Sequence, residues 1–288
     1  MESDNKIRVF ADATAIVTGA ASGIGRGLAE ELSKRGCEVV LADLQIESTE
    51  KIANTINTGG GKATAAKINV TDYQALAQLV HETINRTGRI DYFFNNAGIG
   101  VFGTVDLHDV EDWNYIIDVN LRGVTNGIQA VYKHMISQGF GQIINTASVA
   151  GLIPTPGLAA YAATKHAVVG LSTSLRTEAA KFGIGVNVIC PGFVRTAILD
   201  DCKGKYGKLL PAFSSEQLNR CLKLAENFKP MDPNIFAEKV LNSVAKNKAI
   251  IIIPSWAKLI WLFHRLFPTT GINLTQFFFK KILKHIFP

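Results

Sequence analysis

Short runs rich in β-branched residues alternate with longer segments of helical periodicity along most of the sequence. The longer segments, such as residues 24–35, 73–86 and 160–182, are long enough to return the chain across a parallel sheet. This alternation predicts an α/β fold in which helices cover both faces of one doubly wound parallel sheet. The seven predicted strands are residues 15–18, 38–42, 63–68, 90–95, 142–146, 185–190 and 249–253.

The alternation runs from residue 14 to about residue 253 without a linker rich in Pro, Gly or Ser, which favours one domain. Hydrophobic residues make up 47% of the 288 residues and charged residues 19%, so the chain can bury a sizeable core. We therefore predict one domain over residues 1–255, with a small helical lobe at about residues 193–233. Residues 256–288 are predicted to form a basic, aromatic and amphipathic C-terminal tail.

Composition and charge argue against several other classes of protein. The N-terminus carries acidic residues and lacks a basic region followed by an apolar one, so we expect no secretory signal and a cytoplasmic protein. The net charge of +6 comes largely from the C-terminal tail, which argues against a nucleic-acid partner. The cysteines form no CxxC pair and have no histidine at ligand spacing, so we predict reduced structural thiols and no metal site. The four cysteines are Cys37, Cys190, Cys202 and Cys221.

A glycine-rich segment follows the first predicted strand and opens the first helix. It reads TGAASGIG and spaces Gly19, Gly23 and Gly25 as GxxxGxG. Small residues let the backbone turn tightly and bring amides and a helix N-terminus close to a pyrophosphate. An ordinary glycine turn is the alternative, but the strand before the segment and the helix after it favour phosphate binding. The segment therefore predicts a dinucleotide site that includes Ser22 and Ile24.

Asp43 stands where the second predicted strand ends. An acidic side chain at this position accepts hydrogen bonds from the adenosine ribose and repels a 2′-phosphate, so Asp43 favours NAD over NADP. A solvated loop carboxylate is the alternative, and Arg26 leaves a contact with a 2′-phosphate open.

Tyr161 and Lys165 are four residues apart near the start of a predicted helix, so they lie on one face of it. Ser148 follows the fifth predicted strand. A phenol titrates near pH ~10 and is a poor base at neutral pH, but a cation within about 4–6 Å lowers its pKa. The pair predicts a phenol that Lys165 activates as a base. An isolated YxxxK pair is equally consistent with an exposed helix surface.

Further polar motifs follow the later strands in chain order. NNAG occupies residues 95–98, Asn120 lies in a predicted helix, and PGFVRT occupies residues 191–196. Together with TGAASGIG, Ser148 and the YxxxK pair, these motifs resemble the compact branch of the short-chain dehydrogenase/reductase family over about residues 13–253. The resemblance implies a seven-stranded Rossmann-type sheet and an oxidoreductase that transfers hydride between a nicotinamide cofactor and an alcohol or ketone.

The resemblance also implies a role for each catalytic side chain. Tyr161 is the general acid and base, Ser148 orients the substrate oxygen, and Asn120 holds a water of a proton relay. Lys165 binds the ribose and lowers the pKa of Tyr161, and Thr196 contacts the nicotinamide carboxamide. The other residues implied to contact NAD are Gly19, Ser22, Gly23, Ile24, Gly25, Asp43, Asn69, Val70, Asn96, Ala97, Gly98, Pro191, Gly192 and Val194.

One position departs from the family pattern. The family often has Asp-Val after the third strand to meet the adenine amine, whereas this chain has Asn69-Val70. An asparagine still offers a carbonyl oxygen as acceptor, and the hydride chemistry does not depend on the adenine contact.

Two C-terminal segments bear on the substrate and on other partners. Residues 193–233 mix apolar and aromatic side chains with lysines, which favours a lipophilic substrate such as a steroid, retinoid or lipid; packing against the protein's own core is the alternative. Residues 256–288 combine Trp, Phe and Leu with basic residues and no acid, which is typical of helices at a membrane surface. Charges at Lys258 and Arg265 and the break at Pro268 argue against a membrane span. An oligomer contact or a flap over the substrate pocket are the alternatives for this tail.

We therefore predict an NAD-dependent alcohol dehydrogenase that forms homo-oligomers, as members of this family do. Its nearest rival is an NADPH-dependent carbonyl reductase on the same scaffold, and Asp43 discriminates between the two. A sugar epimerase could use the same Tyr and Lys, but the chain after the sixth strand is too short for a nucleotide-sugar lobe. A non-catalytic nucleotide-binding or membrane adaptor would have to retain Ser148, Tyr161, Lys165 and Asn120 without using them.

Overall fold

Seven parallel strands form one sheet in a computed structural model that describes residues 6–196 and 229–286. All seven predicted strands are confirmed, and their ends lie within about two residues of the predicted ones. The strands are β1 (Thr14–Thr18), β2 (Glu38–Asp43), β3 (Lys62–Lys67), β4 (Tyr92–Asn95), β5 (Gly141–Thr146), β6 (Ile184–Pro191) and β7 (Ile250–Ile253). Their order in the sheet is β3-β2-β1-β4-β5-β6-β7.

Helices occupy the connections between the strands and cover both faces of the sheet. The predicted helix over residues 160–182 is confirmed as a long helix that a 3₁₀ turn extends to Phe182. A π-helical turn at Asp118–Arg122 joins the fourth helix to the fifth. The helices are α1 (Gly23–Lys34), α2 (Ile46–Thr58), α3 (Tyr73–Thr87), α4 (Val110–Ile117), α5 (Gly123–Gln138), α6 (Ala159–Ala179), α7 (Pro233–Val244), α8 (Ala257–Leu266) and α9 (Pro268–Ile286).

Successive residues of a strand face opposite sides of the sheet and so build two separate cores. In β4, Tyr92 and Phe94 belong to the core under α1, α2 and α7, whereas Phe93 belongs to the core under α3, α5 and α6. The three aromatic side chains are at most 1% exposed. Burial of a side chain of this size stabilises a fold by roughly 1.5–3 kcal/mol. Strands that are buried on both faces explain why the sequence shows continuous apolar runs rather than strict alternation.

Local sequence signals set where α3 and α4 begin. The Asp72 carboxylate accepts a hydrogen bond from the amide of Ala75 (3.1 Å) at the start of α3. Asp109 and Asp112 cap α4 reciprocally, each carboxylate accepting from the other residue's amide at 3.0 Å. A cap of this kind contributes on the order of 1 kcal/mol. The start of α4 is thus defined, and with it the register of the π turn that carries Asn120.

The strand order reverses at β1, because β2 and β3 lie on one side of it and β4 to β7 on the other. In open α/β sheets, ligands bind at such a switch point, outside the carboxyl ends of the strands. We call this side of the sheet the carboxyl edge and the opposite side the amino edge. The carboxyl edge is defined by the last residues of five strands: Thr18, Asp43, Asn95, Thr146 and Pro191.

The C-terminal residues after β7 form α8 and α9. Within residues 6–196 and 229–286, no helix is long and apolar enough to cross a membrane. Cys37 and Cys190 are buried free thiols, whereas Cys202 and Cys221 lie outside the described residues. Most of the predicted lobe at residues 193–233 also lies outside them, and the predicted domain boundary at residue 255 stays a prediction.

Candidate active site

A cavity of about 430 Å³ opens at the carboxyl edge of the sheet. Its wall combines the glycine-rich loop before α1, the residues that follow β2, β4, β5 and β6, and the start of α6. The fold therefore brings motifs that are far apart in sequence into one space. The predicted residues on this wall are Gly19, Ser22, Gly23, Ile24, Asp43, Asn69, Val70, Asn96, Ala97, Gly98, Ser148, Tyr161, Lys165, Pro191, Gly192, Val194 and Thr196.

Two predicted site residues, Gly25 and Asn120, are not on the wall. A Cβ at Gly25 would collide with the carbonyl oxygen of Gly19. The missing side chain lets α1 pack closely against the loop, so Gly25 has a packing role, and its predicted cofactor contact stays a prediction. Asn120 is fully buried next to Gly98, which is itself part of the wall.

The glycine-rich loop is pressed against two other segments of the wall. Gly19 has a φ of +67°, and a Cβ there would lie 2.7 Å from the Cα of Ala97. Gly23 has a φ of +52°, and a Cβ there would lie 3.0 Å from Cγ2 of Thr196. The first amides of a helix have no intrahelical partner, and those of Gly23 and Ile24 are at the cavity wall. The loop around Gly19 and Gly23, which we call the glycine cradle, lies at a helix N-terminus and fits the pyrophosphate of a dinucleotide.

Thr18 holds the NNAG segment against the glycine-rich loop, a role that the sequence analysis missed. Its Oγ1 accepts hydrogen bonds from the amides of Asn96 (3.0 Å) and Ala97 (3.1 Å) and donates to the carbonyl oxygen of Phe94 (3.2 Å). The side chain of Asn95 points into the protein and donates to Oδ1 of Asn145 at 2.8 Å. The position of Thr18 at the end of β1 was the only available signal, because its partners lie on a strand far away in sequence.

Asp43 is held at the wall by the backbone of the turns around it. Its Oδ2 accepts from the amide of Ala21 (3.0 Å) and its Oδ1 accepts from the amide of Gln45 (2.9 Å). Arg26, the residue that left a phosphate contact open, instead pairs with Glu30 at 2.7 Å and is not on the wall. The fixed charge at this end of the cavity is therefore negative, which suits a ribose with free hydroxyls better than one with a 2′-phosphate.

Asn69, the residue that departs from the family pattern, makes a local turn. Its Oδ1 accepts from the amide of Thr71 (3.1 Å) and from Oγ1 of the same residue (2.9 Å). The carbonyl oxygen that was expected to remain available to an adenine amine is thus already bonded within the chain. Asn69 still lies on the cavity wall beside Val70.

Ser148, Tyr161 and Lys165 meet on one side of the cavity. The Ser148 Oγ accepts from the amide of Ala150 at 3.1 Å and donates to the carbonyl oxygen of Pro191 at 3.5 Å. The ammonium of Lys165 donates to the carbonyl oxygen of Thr146 (3.0 Å) and lies 5.5 Å from the centroid of the Tyr161 ring. The spacing of four residues on α6 thus places the phenol and the ammonium side by side, as predicted.

Burial controls the titration of this group. It raises the pKa of Tyr161, an effect that the hydrogen bond from Ser148 opposes and the nearby Cys190 reinforces. Burial also lowers the pKa of Lys165 to about 8, while Cys190 acts in the opposite direction. The net shift of the Tyr161 pKa is upward, because desolvation of the phenolate outweighs the hydrogen bond from Ser148, and the implied lowering by Lys165 stays a prediction. At neutral pH the phenol carries its proton and the ammonium is mostly charged.

Asn120 ties the loop after β4 to α6 from within the π turn. Its Oδ1 accepts from the amide of Ile99 (2.8 Å), and its Nδ2 donates to the carbonyl oxygen of Ile99 (2.9 Å) and to Oγ1 of Thr164 (3.3 Å). A Cβ at Gly98 would lie 3.2 Å from Oδ1 of Asn120 and 3.3 Å from Nζ of Lys165. These contacts position the loop beside the lysine, and the implied water-holding role of Asn120 stays a prediction.

Several apolar residues on the wall were not predicted. Tyr115 and Val119 come from α4 and the π turn, and their spacing of four residues puts them on one helix face. Ile99 and Phe193 follow β4 and β6. Apolar residues after a strand carry no signal in a single sequence, because they are equally consistent with packing.

A doubly wound sheet with a glycine cradle, a cavity-facing carboxylate and a Ser-Tyr-Lys group in one cavity defines a nucleotide-dependent oxidoreductase. The chain belongs to the short-chain dehydrogenase family, which it matches over residues 13–206. The predicted family and enzyme class are thus confirmed, and the chain is an oxidoreductase of this family.

Relatives with known names agree with this assignment. The oxidoreductase UcpA of Salmonella typhimurium is 40% identical over 188 residues, which cover 65% of this chain and 71% of the relative. SadH, a candidate oxidoreductase of Mycobacterium tuberculosis, is 32% identical over 259 residues, which cover 89% of this chain and 91% of the relative.

Solved structures confirm the predicted fold class. A short-chain dehydrogenase/reductase from Burkholderia phymatum in complex with NAD superposes with a TM-score of 0.81 at 27% identity, covering 93% of this chain and 97% of the other. Levodione reductase superposes with a TM-score of 0.76 at 29% identity, covering 85% of this chain and 96% of the other.

Proposed function

We propose that this protein is an NAD-dependent dehydrogenase that interconverts a lipophilic secondary alcohol and the corresponding ketone. The observation that carries the proposal is the convergence of Asp43, Ser148, Tyr161 and Lys165 on one cavity next to the glycine cradle. This arrangement can hold a dinucleotide at one end and a carbonyl or hydroxyl oxygen at the other.

In the proposed reaction, the side chains transfer the proton to and from the substrate oxygen. In reduction, the Tyr161 hydroxyl donates its proton to the ketone oxygen, and the Ser148 hydroxyl donates a hydrogen bond to the same oxygen. The Lys165 ammonium then stabilises the phenolate that remains. In oxidation, the phenolate takes the proton of the alcohol. When bound, the nicotinamide cofactor supplies the hydride in one direction and accepts it in the other.

NAD is the proposed cofactor because of the charge at the wall. Asp43 is locked by two backbone amides and faces the cavity. The relative from Burkholderia phymatum binds NAD, which supports the same choice here. An NADPH-dependent carbonyl reductase is the second candidate, but Arg26 is engaged with Glu30 rather than at the wall.

The apolar part of the wall supports a lipophilic substrate. Ile99, Tyr115, Val119 and Phe193 line the cavity together with Tyr161. Apolar and aromatic side chains around a few polar groups are typical of sites for lipophilic small molecules. Membrane association of residues 256–288 and assembly into a homo-oligomer stay predictions at this point.

The proposal is tested by following absorbance of the reduced nicotinamide while the protein is offered secondary alcohols of increasing lipophilicity with NAD or NADP. We expect turnover with NAD that Tyr161→Phe lowers by about 10²–10⁴-fold, the usual contribution of a general acid or base. Tyr73→Phe, which removes the hydroxyl of an exposed tyrosine at the start of α3, should leave the rate unchanged.

Either of two results would count against this function. Equal turnover by the wild type and Tyr161→Phe would remove the phenol from the mechanism. Cofactor binding without turnover of any alcohol or ketone would favour the non-catalytic nucleotide-binding adaptor.

A further inference from the structure

The two C-terminal helices α8 and α9, which we call the C-terminal helix pair, carry much of the protein's exposed apolar surface. More than half of the exposed large hydrophobic side chains among the described residues lie between residues 256 and 282. On α8, Leu259, Leu262, Phe263 and Leu266 are spaced as i, i+3, i+4 and i+7, so they form one stripe. Leu259 is 71% exposed and Leu266 is 62% exposed. A stripe of this kind in contact with water indicates an interaction surface.

The second helix of the pair extends this surface. Leu274, Phe278 and Ile282 are exposed and follow one another at intervals of four along α9. The two helices pack against each other where a Cβ at Gly271 would overlap the His264 ring. Packing through this small residue leaves the apolar stripes of both helices directed to solvent.

Charge indicates the partner that covers the surface. The helix pair has five basic residues, and the sequence has no Asp or Glu after Glu238. A second copy of the pair would bring the same positive charge to the contact, which disfavours self-association through this surface. Apolar and aromatic side chains flanked by lysines match the interface of an anionic bilayer, where rings enter the acyl boundary and ammonium groups meet the headgroups. The basic residues are Lys258, Arg265, Lys280, Lys281 and Lys284.

The helix pair is attached at the carboxyl edge of the sheet. The amide of Gly192, a residue of the cavity wall, donates to the carbonyl oxygen of Ile253 at 2.7 Å. A Cβ at Gly192 would lie 2.9 Å from Cδ of Pro254, the residue that leads into α8. Ala257 is buried and Trp261 packs against the core under α6, so α8 has a set position on the domain. Any surface that the helix pair binds therefore lies next to the carboxyl edge and its cavity.

We propose that the C-terminal helix pair docks on an anionic lipid bilayer and holds the carboxyl edge beside it. The bilayer then serves as the reservoir of the lipophilic alcohol or ketone, which partitions into it. The docking stands on the helix pair alone, whereas the delivery of substrate rests on the proposed function.

The docking is tested by flotation of the full-length protein with vesicles of phosphatidylcholine alone or with added phosphatidylserine. We expect the wild type to float with the anionic vesicles and poorly with the neutral ones. Lys280→Gln/Lys281→Gln/Lys284→Gln should lower the partition coefficient on the order of 100-fold, because each basic residue at an anionic surface contributes about 1 kcal/mol, or roughly fivefold. Lys51→Gln/Lys133→Gln/Lys246→Gln, which removes three exposed lysines elsewhere, should float like the wild type.

The apolar stripe is tested with Leu259→Ser/Phe263→Ser against the control Val9→Ser/Val110→Ser, which also replaces two exposed apolar residues. Only the first variant should lose flotation. Failure of the wild type to float, or equal flotation with neutral and anionic vesicles, would overturn the proposal. A change of molecular mass by light scattering in the first variant, with flotation unchanged, would mean that a second copy covers the helices and would also overturn it.

A kinetic measurement separates docking from catalysis. Both helix-pair variants should keep the wild-type rate on a short, water-soluble secondary alcohol but lose rate on a long-chain alcohol held in anionic vesicles. Equal rates of variant and wild type in vesicles would overturn substrate delivery while leaving the proposed function intact. If the wild type does not turn over the soluble alcohol at all, the proposed function is rejected. The flotation result then decides about docking by itself.

Discussion

Asp91 and Asp43 lie at opposite edges of the same sheet and are hydrogen-bonded in the same way. One carboxylate is buried within the fold, whereas the other faces the cavity. Each carboxylate accepts hydrogen bonds from two backbone amides at 2.9–3.0 Å. Asp91, at the amino edge, is fully buried and also pairs with Arg89 at 2.5 Å. Asp43, at the carboxyl edge, remains partly exposed on the cavity wall. A charge neutralised inside the protein can only stabilise the fold, whereas a charge that faces a cavity can select a ligand.

The buried cations of the two edges differ in the same way. Arg89 is buried against Asp91 and also lies 4.6 Å from the centroid of the Phe140 ring. Lys165 is 3% exposed and donates to a backbone carbonyl, and none of the carboxylates in the described residues forms an ion pair with it. Burial therefore lowers the pKa of Lys165 to about 8. The ammonium at the carboxyl edge is buried without a carboxylate partner among the described residues, whereas the guanidinium at the amino edge is paired with one.

The largest expected effect is on stability at the amino edge. Asp91→Asn leaves the Arg89 guanidinium buried without its counter-charge, and removal of one partner of a buried pair costs roughly 3–5 kcal/mol. Urea unfolding should show this loss, while the rate per folded molecule stays at the wild-type value. Asp106→Asn, at an exposed acid before α4, should change stability by less than about 0.5 kcal/mol. A loss below about 1 kcal/mol in Asp91→Asn would show that the buried pair at the amino edge does not stabilise the fold as expected.

The next effect is the pH dependence that Lys165 introduces. Its folded form releases a proton near pH 8, whereas the unfolded form retains it until about pH 10.5. The unfolded state thus binds more protons in this window, so the free energy of unfolding contributed by Lys165 rises with pH. Relative to Lys165→Met, the wild type should gain roughly 2 kcal/mol between pH 7.5 and 9.5.

That measurement compares two proteins because the buried thiols change the free energy of unfolding in the opposite direction as pH rises. Burial raises the pKa of Cys37 and of Cys190 to about 12, so their ionisation favours the unfolded state as pH rises above 9. Both thiols are present in the wild type and in Lys165→Met. Lys133→Met, at an exposed lysine of α5, should unfold in parallel with the wild type at every pH. If the free energy of unfolding of Lys165→Met also ran parallel to that of the wild type at every pH, burial would not shift the pKa of Lys165.

The smallest expected effect is on cofactor choice at the carboxyl edge. Asp43→Asn keeps a carbonyl oxygen for one of the two loop amides and removes the charge that repels a 2′-phosphate. The ratio of kcat/KM for NADP to that for NAD should rise about 10–100-fold, with a smaller loss of stability than in Asp91→Asn. Glu47→Gln, at an exposed acid in the first turn of α2, is the matched control. An unchanged ratio would mean that Asp43 does not select the cofactor.

Sequence reasoning succeeded where the signal is local. The apolar runs and helical segments predicted all seven strands, because a buried strand and an amphipathic helix each leave a short-range pattern. The interval between Tyr161 and Lys165 predicted their proximity, since four residues form about one helical turn. The acid at the end of β2 predicted a carboxylate at the cavity, because the end of a strand is also a local signal.

Where the outcome depended on distant parts of the chain, sequence reasoning fell short. The missed contacts of Thr18 join β1 to the segment after β4, and the unpredicted wall residue Val119 comes from an irregular helical turn. The burial of Asn120 was not predicted, because it depends on the π turn, which directs the side-chain amide into the protein. The upward shift of the Tyr161 pKa was not predicted, because it is caused mainly by burial, which a helix pattern does not measure.

Residue types at short spacing are enough to predict the order and type of the elements, the glycine cradle and the Ser-Tyr-Lys group. Three properties follow only from packing in three dimensions: which of these residues share a cavity, how far burial shifts their pKa values, and the position of the C-terminal helix pair beside the cavity wall. Those properties depend on strand order and on packing between segments far apart in the chain, and no local pattern encodes the distance between two such segments.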